Sequence, residues 1–170
     1  MKGKMIFINC KTAEGSTERK AARDYLVIPQ TKRVYIVTPG EATARDVTAI
    51  CRDIVRTETE NFVVYVLTPR GSGLQETLRE HFSNEPAVRP VVIGKKTETY
   101  LKAADVILTK ASILTDPVDA AADVGDMLTT AYSKAYRSVR QAVLNAKLFL
   151  DTRCKTAGVH DAASDKFKRR

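Results

Sequence analysis

Two segments thirty residues apart, VYIVTPGEAT (Val34 to Thr43) and VYVLTPRGSG (Val64 to Gly73), carry the same pattern: four apolar residues in a row, then Thr-Pro, then a loop. A strand that is apolar on consecutive residues is buried on both faces, and such strands occur where helices cover both sides of a parallel sheet. Three further runs have this character, Met5 to Cys10, Val88 to Ile93 and Asp105 to Thr109. Helical patterns lie between them. Thr43 to Thr57 gathers Val47, Ile50, Cys51, Ile54 and Val55 on one face, and Leu74 to Phe82 and Thr97 to Ala104 are shorter versions. Strand and helix alternate at about thirty residues per unit, the arithmetic of right-handed crossovers. The expected fold over residues 1–115 is a Rossmann-like or flavodoxin-like three-layer α/β domain with a five-stranded parallel sheet.

After Thr109 the pattern changes. Asp116-Pro117 reads as a cap followed by proline at the first helical position. Leu128, Tyr132, Tyr136, Val139, Val143, Ala146 and Leu150 then recur every three or four residues, so an amphipathic helical extension is expected over residues 116–154, with a break at Gly125. Its apolar stripe either packs on the chain's own sheet or, over residues 126–150, meets a second copy or another chain. Residues 155–170 offer little to bury and are expected to form a disordered basic tail.

Charge follows the same division. Residues 1–130 hold 18 basic and 17 acidic side chains and residues 131–170 hold 10 and 3, so seven of the eight net positive charges lie in the last quarter. A neutral body with a basic arm points to an anionic partner, foremost nucleic acid held through phosphate contacts without sequence preference. The candidate residues are Lys134, Arg137, Arg140, Lys147, Arg153, Lys155, Lys166, Lys168, Arg169 and Arg170.

In an open parallel sheet ligands bind beyond the carboxyl ends of the strands, where helix amino termini add N–H groups. Those ends supply Lys11, the loop Arg70-Gly71-Ser72-Gly73, Lys95 and Lys96, and Lys110 and Ser112, a set suited to phosphate or a nucleotide. Thr38-Pro39-Gly40-Glu41 matches a capping box and needs no ligand; Ser72-Gly73-Leu74-Gln75 matches another, which leaves Arg70-Gly71 as extra loop.

Other classes find little here. Gly94-Lys95-Lys96-Thr97 lacks the earlier glycine of a P-loop, no GxGxxG follows the first strand, and His81 and His160 have no partners at metal or triad spacing. Cys10, Cys51 and Cys154 are expected to be reduced thiols, with no metal or other cofactor implied. No apolar run is long enough to span a membrane, and a cytoplasmic protein is expected. No catalytic constellation appears.

The stretch Tyr100-Leu101-Lys102-Ala103-Ala104-Asp105-Val106-Ile107-Leu108-Thr109-Lys110-Ala111, with the order of elements over residues 33–112, resembles the carboxyl-terminal nucleotide-sugar-binding half of GT-B glycosyltransferases of the MurG and monogalactosyl-diacylglycerol synthase kind. In those families the strand precedes a glycine-rich turn, and here Ser112 stands where that glycine falls. The resemblance implies a nucleotide-binding type of fold. Three functions are therefore expected in order: a non-catalytic nucleic-acid-binding protein; a nucleotide or nucleotide-sugar module, half of a two-chain transferase; and a structural subunit pairing through its helix.

Overall fold

The computed structural model describes residues 5–11, 17–59, 61–111 and 130–157. These form six strands, β1 (Met5–Lys11), β2 (Arg33–Gly40), β3 (Phe62–Thr68), β4 (Val88–Val92), β5 (Val106–Ala111) and β6 (Thr130–Tyr136). They also form five helices, α1 (Thr17–Leu26), α2 (Ala44–Thr57), α3 (Leu74–His81), α4 (Thr97–Ala103) and α5 (Val139–Ala157). The chain is thus an α/β protein. The expected boundaries of the helices after β2, β3 and β4 agree with α2, α3 and α4 to within a residue.

All six strands belong to one sheet, in the order β4-β3-β2-β5-β1-β6. β2 to β5 are mutually parallel, while β1 runs antiparallel to both β5 and β6. The sheet is therefore mixed and six-stranded instead of parallel and five-stranded. A run of apolar residues is silent on strand direction; in β1, Ile6 and Ile8 are buried on one and the same face. The sixth strand falls inside the segment expected to be helical. Tyr132 and Tyr136 are four residues apart, a spacing that serves a helical stripe and a pleated strand equally.

Strand residues alternate between two cores. Tyr35, Val37, Val64, Val66, Val106 and Leu108 pack under α2, α3 and α5, while Val34, Ile36, Val63, Tyr65 and Ile107 pack on the opposite face with Ala22 of α1 and Leu101 of α4. Val143, Ala146 and Leu150 of the expected stripe are buried in the first core, with Tyr136 and Val139 packed against it, so this part of α5 covers its own sheet. Leu144 and Leu148 remain exposed.

Two ion networks, one buried and one half-buried, fix the outer helices. α1 presents Arg19, Ala22 and Arg23 inward, and both guanidinium groups meet Asp105, at 3.1 and 2.8 Å, just before β5. At the start of β2, Arg33 joins Glu58 at the end of α2 (3.0 Å) to Asp151 of α5 (2.5 Å), and Lys147 also reaches Asp151 (2.9 Å). The buried Tyr35 hydroxyl donates to Glu58; burial and the adjacent carboxylate hold that phenol far above its usual range.

Candidate phosphate-binding edge

The order β4-β3-β2-β5 means that the chain steps outward from β2 to β4 and then returns to the other side of β2. The carboxyl ends of β2 and β5 flank this reversal, the position where a crevice opens in parallel sheets.

At this reversal the first Thr-Pro corner is a bulge. Thr38 pairs with Thr109 and Gly40 with Lys110, so Pro39 is the extra residue. Gly40 has φ +59, and a Cβ there would lie 2.7 Å from both the Lys110 carbonyl oxygen and Thr109 Oγ1. Only glycine fits. The helix cap lies five residues beyond the expected one: Thr43 Oγ1 accepts from the Asp46 N–H (3.1 Å) and Asp46 Oδ2 accepts from the Thr43 N–H (3.0 Å). Thr38 is held in the strand, which is why it cannot cap. Lys110 Nζ contacts Asp46 Oδ1 at 2.9 Å. Partial burial raises the Asp46 carboxyl, but hydrogen bonds from Lys110 and Thr43 outweigh it and hold it below its ordinary value. Lys110 is thus engaged by the chain itself. Thr38 Oγ1 and Thr109 Oγ1 are buried with no hydrogen-bond partner.

The second corner is built differently. The Ser72 N–H donates to the Pro69 carbonyl (3.3 Å), closing a tight turn with Gly71 at φ +74 in its third position. Gly73 follows at φ +82 as the N-cap residue of α3; Ser72 Oγ accepts from the Leu74 N–H (3.2 Å) instead of forming the expected capping box with Gln75. Nothing lies within 4 Å of a Cβ at Gly71 or Gly73, so both open onto free space. Ser72 and Gly73 line a cavity of about 340 Å³ between this loop and Pro39-Gly40. Arg70 is exposed and has no ion-pair partner among the described residues.

At the next strand end the Gly94 N–H donates to Thr97 Oγ1 (2.9 Å), and Lys95 and Lys96 are exposed. A Cβ at Gly94 would lie 3.9 Å from Arg70 Nη2, so the corners of β3 and β4 adjoin. Lys95 and Lys96 also line a cavity of about 470 Å³ between α1 and α4, with Tyr25, Thr99, Lys102 and Glu18. Lys96 Nζ sits 5.7 Å from the Tyr25 ring centroid.

Two sequence-derived candidates do not join this group. Because β1 is antiparallel, with Met5 opposite Ala111 and Cys10 opposite Val106, Lys11 lies at the other edge of the sheet. Ser112 lies outside the described residues. Of the basic arm, Arg137 and Arg140 are exposed and stand at the carboxyl edge, since β6 ends beside the start of β1, where Tyr136 pairs with Ile6. Lys147 is paired with Asp151 toward the opposite edge. Lys134 is placed within β6, and Arg153 and Lys155 within α5. Lys166, Lys168, Arg169 and Arg170 lie outside the described residues, as does the expected helix start at Asp116.

Tyr25 and Glu18 had no signal in the apolar pattern, because the helix that carries them buries arginines. His81 is exposed on α3, and the Cys51 thiol is buried, which pushes it up to about 12. Among the described residues no cluster of three His, Cys, Asp or Glu could hold a metal, and no helix is long and apolar enough to cross a membrane. No protein-family model, curated protein or solved structure matches the chain.

Proposed function

We propose that this Rossmann-like α/β protein is a non-catalytic nucleic-acid-binding protein that lays a phosphate backbone along the carboxyl edge of its sheet. The observation that supports this reading is a row of cations with no ion-pair partner among the described residues: Lys95 and Lys96 after β4, Arg70 after β3, and Arg137 and Arg140 after β6. Five strand spacings separate its ends, about 24 Å. Glu76 and Glu98, in the first turns of α3 and α4, stand near the β3 and β4 end of the row. Base identity plays no part in the phosphate contacts.

Five phosphate contacts imply a slope of log K against log salt of about −3.5 on a single strand, or about 100-fold between 50 and 200 mM salt. Anisotropy titrations of the full chain with a labelled oligonucleotide read this slope. Replacing Arg70, Lys95, Lys96, Arg137 and Arg140 together by serine should remove that much of it. If affinity and slope are unchanged, the edge is not the binding surface.

The open Gly71 and Gly73 backbone favours a second reading, a nucleoside diphosphate or nucleotide sugar in the adjoining cavity, with Arg70 on its phosphates. A thermal shift with such ligands that Arg70→Ala abolishes would support it; no shift with any of them would exclude it.

A further inference from the structure

We propose that the cavity between α1 and α4 receives one unstacked nucleobase with its phosphate, so that the protein prefers single strands to duplex. This rests on the edge reading above for the strand and on the cavity itself for the base.

Tyr25 leaves 65% of its surface in water although it lines a cavity of about 470 Å³, a size typical of small-ligand sites. Ala21 and Ala22 on α1 leave room beside its ring. Tyrosine is a stacking platform that accepts any base, because every base has a π-face. The Lys96 ammonium, 5.7 Å from the ring centroid, is at the outer limit of a cation–π contact. A stacking base displaces it with little loss, and the freed ammonium joins Lys95 and Lys102 around the phosphate. Glu18 accepts from a base N–H and Thr99 can donate or accept, which favours bases with exocyclic amino groups.

Placement links the cavity to the edge. Lys95 and Lys96 belong to both, and Gly94 sets Arg70 beside them. A backbone passing over Arg70 therefore brings a nucleotide to the cavity mouth, and only a base that is free of its pair can enter.

The test uses the full chain, a 12-nucleotide strand carrying 2-aminopurine, the matching duplex, and 2-aminopurine riboside monophosphate. Stacking on Tyr25 should quench the fluorescence of the strand and the mononucleotide. Tyr25→Leu should weaken strand binding by about 5- to 100-fold, abolish the quenching, and leave duplex affinity within about twofold. Glu18→Gln should lower the preference for amino-bearing bases. Strand affinity unaltered by Tyr25→Leu overturns the proposal, and so does equal loss on strand and duplex. Quenching of the mononucleotide without binding of any strand keeps the cavity and overturns the edge; neither signal overturns both.

Discussion

Asp105 is the residue whose removal tests the architecture most directly. Its Oδ1 accepts from Arg19 Nη1 (3.1 Å), and its Oδ2 accepts from Arg23 Nη2 (2.8 Å) and the Val34 N–H (2.9 Å), all of them buried. Arg23 is fixed independently: its Nε donates to the Ala103 carbonyl (3.0 Å), and its Nη1 to those of Gln30 (2.7 Å) and Lys32 (2.9 Å). It therefore cannot swing out to water when the carboxylate goes. Asp105→Ala leaves buried positive charge without its counter-charge and strands the Val34 N–H, a loss of about 3 to 5 kcal/mol. For a chain of this length that lowers Tm by roughly 10 °C. Asp105→Asn keeps an oxygen for Val34 but turns an amide NH₂ toward a guanidinium, so it should fall between wild type and alanine. Urea denaturation followed by far-ultraviolet circular dichroism measures both. A cost below about 1 kcal/mol for the alanine variant, with unchanged denaturant slope, would refute the view that α1 is anchored by charge.

The two glycine corners separate steric fit from backbone conformation. Gly71→Ala should cost about 1 kcal/mol, for positive φ alone, whereas Gly40→Ala adds overlap with Lys110 and Thr109 and should cost about 3 kcal/mol; equal losses in urea titrations would contradict the bulge. Acid should also weaken the fold. In Asp151, as in Asp46, burial raises the carboxyl, but hydrogen bonds from Lys147 and Arg33 outweigh it, so both groups lie below the ordinary 3.8. Each contributes stability that is present above that value and lost as pH falls through the depressed one. The double variant Asp46→Asn, Asp151→Asn should therefore show a flatter decline below about pH 4, and an acid limb that coincides with wild type would contradict this.

The β3 and β4 corners were legible because a crossover forces the direction of each strand it follows, so the residue after the strand must emerge at the carboxyl edge. Arg70, Lys95 and Lys96 come together for that reason. Lys11 follows an equally apolar run, but the direction of β1 is decided by pairing with β5 and β6, which apolar content does not encode. The Thr-Pro repeat was misleading in a different way. One copy is a bulge at the reversal and the other a turn before α3, and the difference depends on whether a neighbouring strand, here β5, continues alongside. α1 was invisible because its inward face is Arg19, Ala22 and Arg23, and a period of buried arginines looks like solvent exposure until the buried carboxylate of Asp105 is set against it. That carboxylate belongs to the Tyr100 to Ala111 stretch that prompted comparison with nucleotide-sugar enzymes, and the fold gives it a task that needs no ligand. The residues left without such a task are Arg70, Lys95, Lys96 and Tyr25. They are exposed, paired with no carboxylate among the described residues, and gathered at one end of the sheet, so together with Arg137 and Arg140 they carry the case for binding.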